Sequence, residues 1–412
     1  MTEVATEVPL SLYHLLEPEV LANPYPLYER LRTEAPVHWD PYLHAWIVTR
    51  YEDVITVLTK FSAERAPSPE YFAAIGAPEV SPIAKVMVRQ MLFRDGAAHS
   101  RMRKLAAGAF LPARVRVLRD RIQDIATRLV DDIYARGSDR FDLLADFAEP
   151  LPAIVTAEML GVPVEDHWDL KCWSVTFAEM LGNFQHNPDR LPGVLHALEN
   201  LTAYFQERIR EQRISPREGL VNTLLTAEID GDRFTEDEVI ANCIVTMVGG
   251  LETTTNLIGN GMLTLLRNPE QLARLRNEPD LMPAAVEELL RYESPSQHTA
   301  RLAPEDMMLG GKLIRKRQAA IAVMAAGNRD PERFPDPDRL DFDRPDNRHL
   351  AFGWAAHFCF GAPLARIEAQ LAFETLLDRF PVLELTGADL VWRDNLGLRG
   401  LKALPLYYRA TV

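Results

Sequence analysis

The string Thr235-Glu-Asp-Glu238 opens an apolar run that continues through Val239, Ile240, Cys243, Val245, Met247 and Val248 to Leu265 and Leu266, where Pro269 closes it. A Thr with a Glu three residues on forms a capping box, in which each side chain satisfies an amide left without a partner at a helix start. The pattern predicts a helix of about thirty residues, far beyond the usual length. A helix so long and so apolar must cross the molecule, and the rest of the chain has to wrap around it. Its middle, Gly249-Gly-Leu-Glu-Thr-Thr-Thr255, is poor helix sequence. Each glycine costs about 1 kcal/mol against alanine, and the β-branched threonines add to that. A core helix carries such a burden for a reason: a ligand held close, a kink, or both.

The rest of the chain is arranged to fit. Residues 1–20 are expected to lie loosely on the surface. Pro24 and Pro26 introduce a helix over Leu27–Arg32, Trp46–Thr49 reads as a short strand, and a helix starts near Tyr51. Residues 63–95, rich in Pro and small side chains, read as a long loop, and such loops carry function or mobility. From Ala97 to Arg213 helix follows helix, with breaks at Pro112, Pro150, Pro152, Pro163 and Pro192. After Ala300 strands and turns become frequent, and Val382–Tyr408 reads mostly as strands. The fold class is mainly α with minor β.

Charge removes several classes of partner. The formal net charge of −14 works against binding nucleic acid or an anionic membrane surface. Arg101, Arg103, Lys104, Arg114, Arg116, Arg119 and Arg121 form a basic island, most simply a solvated helix face. The three cysteines, Cys172, Cys243 and Cys359, are too few and too scattered for a disulfide framework, so a reducing cytoplasm is expected. Neither a signal peptide nor an apolar span long enough to cross a membrane is visible.

The segment with the most chemistry is Phe352-Gly-Trp-Ala-Ala-His-Phe-Cys-Phe-Gly361, followed by an amphipathic helix from Ala362 to about Arg379. A cysteine just ahead of a helix start meets amide donors and the positive end of the dipole, which favour a thiolate. The segment resembles the heme-ligand signature of the cytochrome P450 family. Phe352, Gly353, His357, Cys359 and Gly361 match it; Ala355 stands where the family usually has Gly. The resemblance implies heme b with Cys359 as the iron ligand. It implies a triangular, helix-rich single domain over 1–412 without a fused reductase, the long helix lying over the heme.

Other motifs follow in the family's order. Gly249-Gly-Leu-Glu-Thr-Thr254 is similar to its oxygen-activation motif, which makes Glu252 and Thr253 the catalytic pair for proton delivery and Gly249 the gap above iron. The alternative is a Thr bonded back to its own helix carbonyl. His99, Arg103, Arg301 and His357 correspond to donors for the heme propionates. Glu288 and Arg291, three apart on one helix face, with Arg344 from Phe334-Pro-Asp-Pro-Asp-Arg-Leu-Asp-Phe-Asp-Arg344, correspond to a structural triad.

The resemblance also implies what the site acts on. Its substrate walls fall on Met87, Val88, Met91 and Leu92; on Phe177 and Met180; on Val245 and Val248; and on Gln297, His298 and Leu398. That set predicts a mainly apolar, medium-sized organic molecule, oxidised by hydroxylation or epoxidation, in the setting of secondary metabolism. Electrons are expected from a separate ferredoxin or flavodoxin, docking at Arg101, Lys104, Arg114 and Arg116, and the chain is expected to be a monomer. Two other readings remain at this level: a peroxide-driven peroxygenase, and a heme sensor with no catalytic role.

Overall fold

In the computed structural model, residues 10–110, 112–182 and 188–409 are described; the side chains of 109–117 and 180–188 lie outside that description. The long helix runs unbroken from Glu236 to Arg267. Thr235 accepts from the Glu238 amide, and the Glu238 carboxylate accepts from the Thr235 amide, as the capping box requires. Nearly every side chain from Val239 to Leu265 is buried. Helices Pro150–Leu160, His167–Gly182, Leu191–Ile214, Met282–Tyr292 and Ala362–Arg379 all pack on it. The largest apolar cluster forms in these contacts, through Phe147, Leu151, Phe177, Phe205, Ile258 and Phe373.

A smaller β region flanks the helices. Its four-stranded sheet runs in the order Val37–Asp40, Ala45–Val48, Ala319–Ala322, Thr299–Leu302, with the two middle strands parallel. A second sheet joins Val382–Leu385, Pro405–Arg409 and Arg140–Asp142. Residues 386–404 between its first two strands are mostly turns, with the bridge Trp392–Leu401, so the strand content expected there is reduced to its ends. Pro24 and Pro26 do introduce a helix, Tyr25–Glu34. The segment 63–95 is not a plain loop: Pro69–Ala74 and Ser81–Met87 are helical, each with Pro in its first turn, where its missing amide costs nothing.

Behind the cysteine segment, Arg291 clamps Glu288 with two bonds of 2.7 Å, and Arg344 Nε reaches both carboxylate oxygens at 3.3 Å. Arg291 also donates to the carbonyls of Asn328, Pro337 and Arg339. With every donor placed, this fully buried pair fixes the path of residues 328–344 against the helix Met282–Tyr292.

Candidate active site

The middle of the long helix shows why its sequence is poor. Val245, Thr246, Gly249 and Thr253 are accessible while Ile244, Met247, Val248, Leu251 and Thr254 around them are buried. Residues four apart share a helix face, so Val245, Gly249 and Thr253 form one accessible strip bordering open space. A Cβ at Gly249 would meet nothing within 4 Å, whereas one at Gly250 would come within 2.8 Å of Thr156 Oγ1. The two glycines thus have separate reasons: Gly249 leaves room in the space, and Gly250 lets the helix Pro150–Leu160 approach. Thr253 Oγ1 donates to the Gly249 carbonyl at 2.6 Å, the back-bonded geometry. Beside it Glu252 is buried, and its Oε2 has no partner among the described residues. Burial pushes its carboxyl up to about 7; Arg393 opposes this, and Glu179 and Glu149 add to it. Near neutral pH Glu252 is therefore poised between its protonated and ionised forms.

The cysteine segment is the second element of the site. The Cys359 amide donates to Phe352 O at 2.8 Å, closing the loop, and the helix Ala362–Arg379 follows at once. Gly353 and Ala355 both adopt left-handed backbone, at φ 72° and 55°. By area Cys359 is open, yet its thiol is ringed by protein atoms. Both hold if it opens onto an internal space and not the outer surface. Burial raises the thiol; the Gly361 amide, Arg103, the Ala362 amide and Arg366 all act in the opposite direction.

A cluster of basic side chains forms one edge of the site. The His99 and His357 rings stack at 4.1 Å, and His357 Nε2 lies 3.2 Å from Asp95 Oδ1. Asp95 Oδ2 accepts from Ser62 Oγ and the Ala63 amide. Arg301 is buried; its Nη1 bonds Thr299 Oγ1 and Ala300 O, and its Nε has no partner. Burial, with Arg301 and His99 nearby, drives His357 down to about 4 despite Asp95. Arg103 donates to Phe358 O at 3.0 Å and lies 4.6 Å over the Phe360 ring, on the cysteine side of this cluster. The sequence reading also missed Arg65, which burial and Arg301 depress to about 9. Its only sequence signal is its place in Ser62-Ala-Glu-Arg65, between the helix Tyr51–Lys60 and Asp95.

The expected substrate walls divide. Met87, Val88, Met91, Leu92, Val245 and Leu398 are half-buried, and Val248 is buried on the long helix. Phe177 has no exposed surface and belongs to the apolar core. Gln297 is directed elsewhere, accepting from Tyr28 Oη and donating to Ser294 O. His298 is buried and held neutral, lowered to about 4 by burial. The side chain of Met180 lies outside the described residues. On the basic island, Arg101 is engaged by the carboxylates of Asp232 and Glu238 and by Arg233 O, so its charge is already paired within the chain. Lys104 is exposed, and the side chains of Arg114 and Arg116 lie outside the described residues.

The family model for Cytochrome P450 matches residues 47–397. The chain belongs to the cytochrome P450 family. The biotin biosynthesis cytochrome P450 of Bacillus subtilis is 37% identical over 95% of this chain and 97% of its own. The cytochrome P450 monooxygenase PikC of Streptomyces venezuelae is 39% identical over 94% of this chain and 92% of its own. A solved P450BioI, in complex with an acyl carrier protein ligated to hexadec-9Z-enoic acid, superposes with a TM-score of 0.88. It is 36% identical and covers 95% of this chain and 99% of that one. The chain is accordingly an oxidoreductase of the cytochrome P450 monooxygenase kind, and its cofactor is heme b. The residues present fit that group. Cys359 is accessible though its thiol is surrounded by protein atoms, a Cβ at Gly249 would meet nothing within 4 Å, and the buried Arg301 Nε is a donor without a partner among the described residues, suited to a carboxylate. No helix among the described residues is long and apolar enough to cross a membrane.

Proposed function

We propose that this cytochrome P450 inserts one atom of dioxygen into a mainly apolar organic substrate, by hydroxylation or epoxidation, with electrons from a separate ferredoxin or flavodoxin. In this reading residues 1–412 act as one heme domain in the reducing cytoplasm, where Cys172, Cys243 and Cys359 stay unpaired. Cys359 would hold the heme through its thiolate; the bound group would supply oxygen activation, and thiolate ligation favours O–O cleavage. The chain's own residues supply the rest. His99, Arg103, His357 and Arg301 would hold the propionate edge. Val245, Val248, Leu398 and the Met87–Leu92 segment offer apolar walls that exclude water. Thr253 Oγ1, anchored on the Gly249 carbonyl, keeps lone pairs to accept a proton, and Glu252 stands next to it with one to give.

The observation that carries this reading is a buried Glu252, its carboxyl raised to about 7, next in sequence to Thr253 on the accessible strip of the helix. A peroxide-driven enzyme or a heme sensor has no use for a proton donor there. The test compares turnover on reductase plus dioxygen with turnover on hydrogen peroxide alone, in wild type and Thr253→Ala. Dioxygen-dependent turnover is expected, with electron use partly diverted from product in the variant. Peroxide-only turnover, or unchanged coupling in Thr253→Ala, overturns it. Cys359→Ala should abolish the red-shifted Soret band of the reduced, carbon monoxide-treated protein. The acyl ligand seen with P450BioI makes long-chain fatty acids and their carrier-bound forms the first substrates to screen.

A further inference from the structure

The basic edge is short of negative charge. Arg65, Arg301, His99 and His357 converge on it, and Asp95 is the carboxylate that influences them. Its oxygens are already engaged by Ser62, Ala63 and His357. Arg65 makes no ion pair among the described residues. Its nearest acceptor is Ala63 O, at a long 3.4 Å, and its guanidinium lies 4.6 Å over the Phe93 ring. Nor does Arg301, whose Nε is buried without a partner.

This proximity is built into the backbone. Ser62 and Leu302 exchange two main-chain bonds, of 2.8 and 2.9 Å, which tie the Arg65 turn to the strand carrying Arg301. Two guanidinium groups brought together out of bulk water repel each other. Such charges persist in folded proteins when paired or hydrogen-bonded. A ligand bringing carboxylates to this edge removes the conflict, and guanidinium forks suit carboxylates best.

We infer that Arg65 binds a heme propionate, sharing that edge of the cofactor with Arg301. The shared chemistry is a carboxylate, which an acidic substrate also carries. Arg65 groups with His99, His357, Asp95 and Arg301, the edge beside the cysteine segment, and not with the Val245–Gly249–Thr253 strip. That position favours the cofactor. The inference rests on heme lying above Cys359, a premise that the Soret band of the wild-type protein tests by itself.

The experiment follows heme transfer from the holoenzyme to excess apomyoglobin in wild type, Arg65→Ala and Arg65→Lys. Loss of a charge-assisted bond predicts about tenfold faster heme loss for alanine, partly restored by lysine. The heme-free protein should be no less stable in Arg65→Ala than in wild type, because the unpaired cation is gone. If Arg65→Ala is recovered poorly, Arg65→Gln, which keeps most of the side chain, gives the same comparison. Heme loss at the wild-type rate overturns the inference. So does an equal destabilisation of heme-free and heme-loaded protein, which would make Arg65 structural. A third contrary result is unaltered heme retention with weakened palmitate binding, which would assign Arg65 to a substrate carboxylate.

Discussion

Ala355 is the one position of the cysteine segment where this chain departs from the family's Gly, and its backbone sits at φ 55°. An L-residue held in left-handed backbone pays about 1–2 kcal/mol for the clash of its Cβ. The Ala355 side chain is exposed, so Ala355→Gly removes that strain and breaks no packing. Glycine adds freedom to the unfolded chain and gives back about 0.4–1 kcal/mol. The expected net gain in stability is about 0.5–1 kcal/mol. A neighbour supplies the control: Ala356 is also exposed, lies in the same short helical turn, and has ordinary backbone. Ala356→Gly meets the same unfolded-state penalty with no strain to relieve. The unfolded-state contribution cancels between the two variants, and the difference should be about 1–2 kcal/mol in favour of Ala355→Gly. Equilibrium urea denaturation of both variants, heme-free and heme-loaded, measures it. An Ala355→Gly protein no more stable than Ala356→Gly would refute the reasoning, and would mean that residues 353–358 relax away from this conformation. The Cys359–Phe352 main-chain bond survives either change, so the Soret band should not move.

Three further predictions follow from buried groups. The Glu252 carboxyl is raised to about 7 from an ordinary 4.5, so the native state binds the extra proton between those values. Stability should therefore fall as pH rises through that window, with the penalty fully present above it. Glu252→Gln should change little near ~pH 4 and gain at most about 3 kcal/mol near ~pH 8, read by denaturation at both; a loss at the higher pH contradicts the burial argument. Arg291→Ala leaves the buried Glu288 carboxylate with Arg344, the Asp341 amide and Asn347, and takes the donor from the Asn328 and Pro337 carbonyls, while Arg339 O keeps Arg344. A loss of about 3–5 kcal/mol is expected, visible as lost soluble yield, while Arg291→Met with Glu288→Met should recover part of it. Gly400→Ala would set a Cβ 1.9 Å from Oδ1 of the fully buried Asn256. A loss of about 1–3 kcal/mol is expected, and a neutral outcome in thermal unfolding would mean that Asn256 can swing aside.

What the sequence made legible was what depends on near neighbours. The Thr235–Glu238 capping box lies within one turn, and the helix it starts was readable from its apolar pattern to within a residue or two of Arg267. The Glu288–Arg291 pair was readable because three residues set a helix face. Misreadings came where a side chain's partner is remote in the chain. Gln297 looked free to face a substrate, but Tyr28, 269 positions earlier, holds it. Arg101 looked like a docking cation, but Asp232, 131 positions on, and Glu238 neutralise it. The Val382–Tyr408 region has strand-forming side chains, but residues 386–404 cover the long helix instead, with Asn260 bonded to the Arg399 carbonyl.

The same contrast separates the two ends of the site. Charges whose partners are internal, such as Arg101 and Arg291, are satisfied by this chain alone, and removing them should damage the fold whether or not heme is present. Arg65 and Arg301 make no ion pair among the described residues while sitting among buried groups. Their electrostatic conflict is relieved only when an anion arrives, so changing them should weaken cofactor retention far more than the heme-free fold. Basic residues scattered along a sequence can therefore be two kinds of cation with opposite consequences. Which kind each residue is depends on whether a carboxylate from elsewhere in the chain has already reached it.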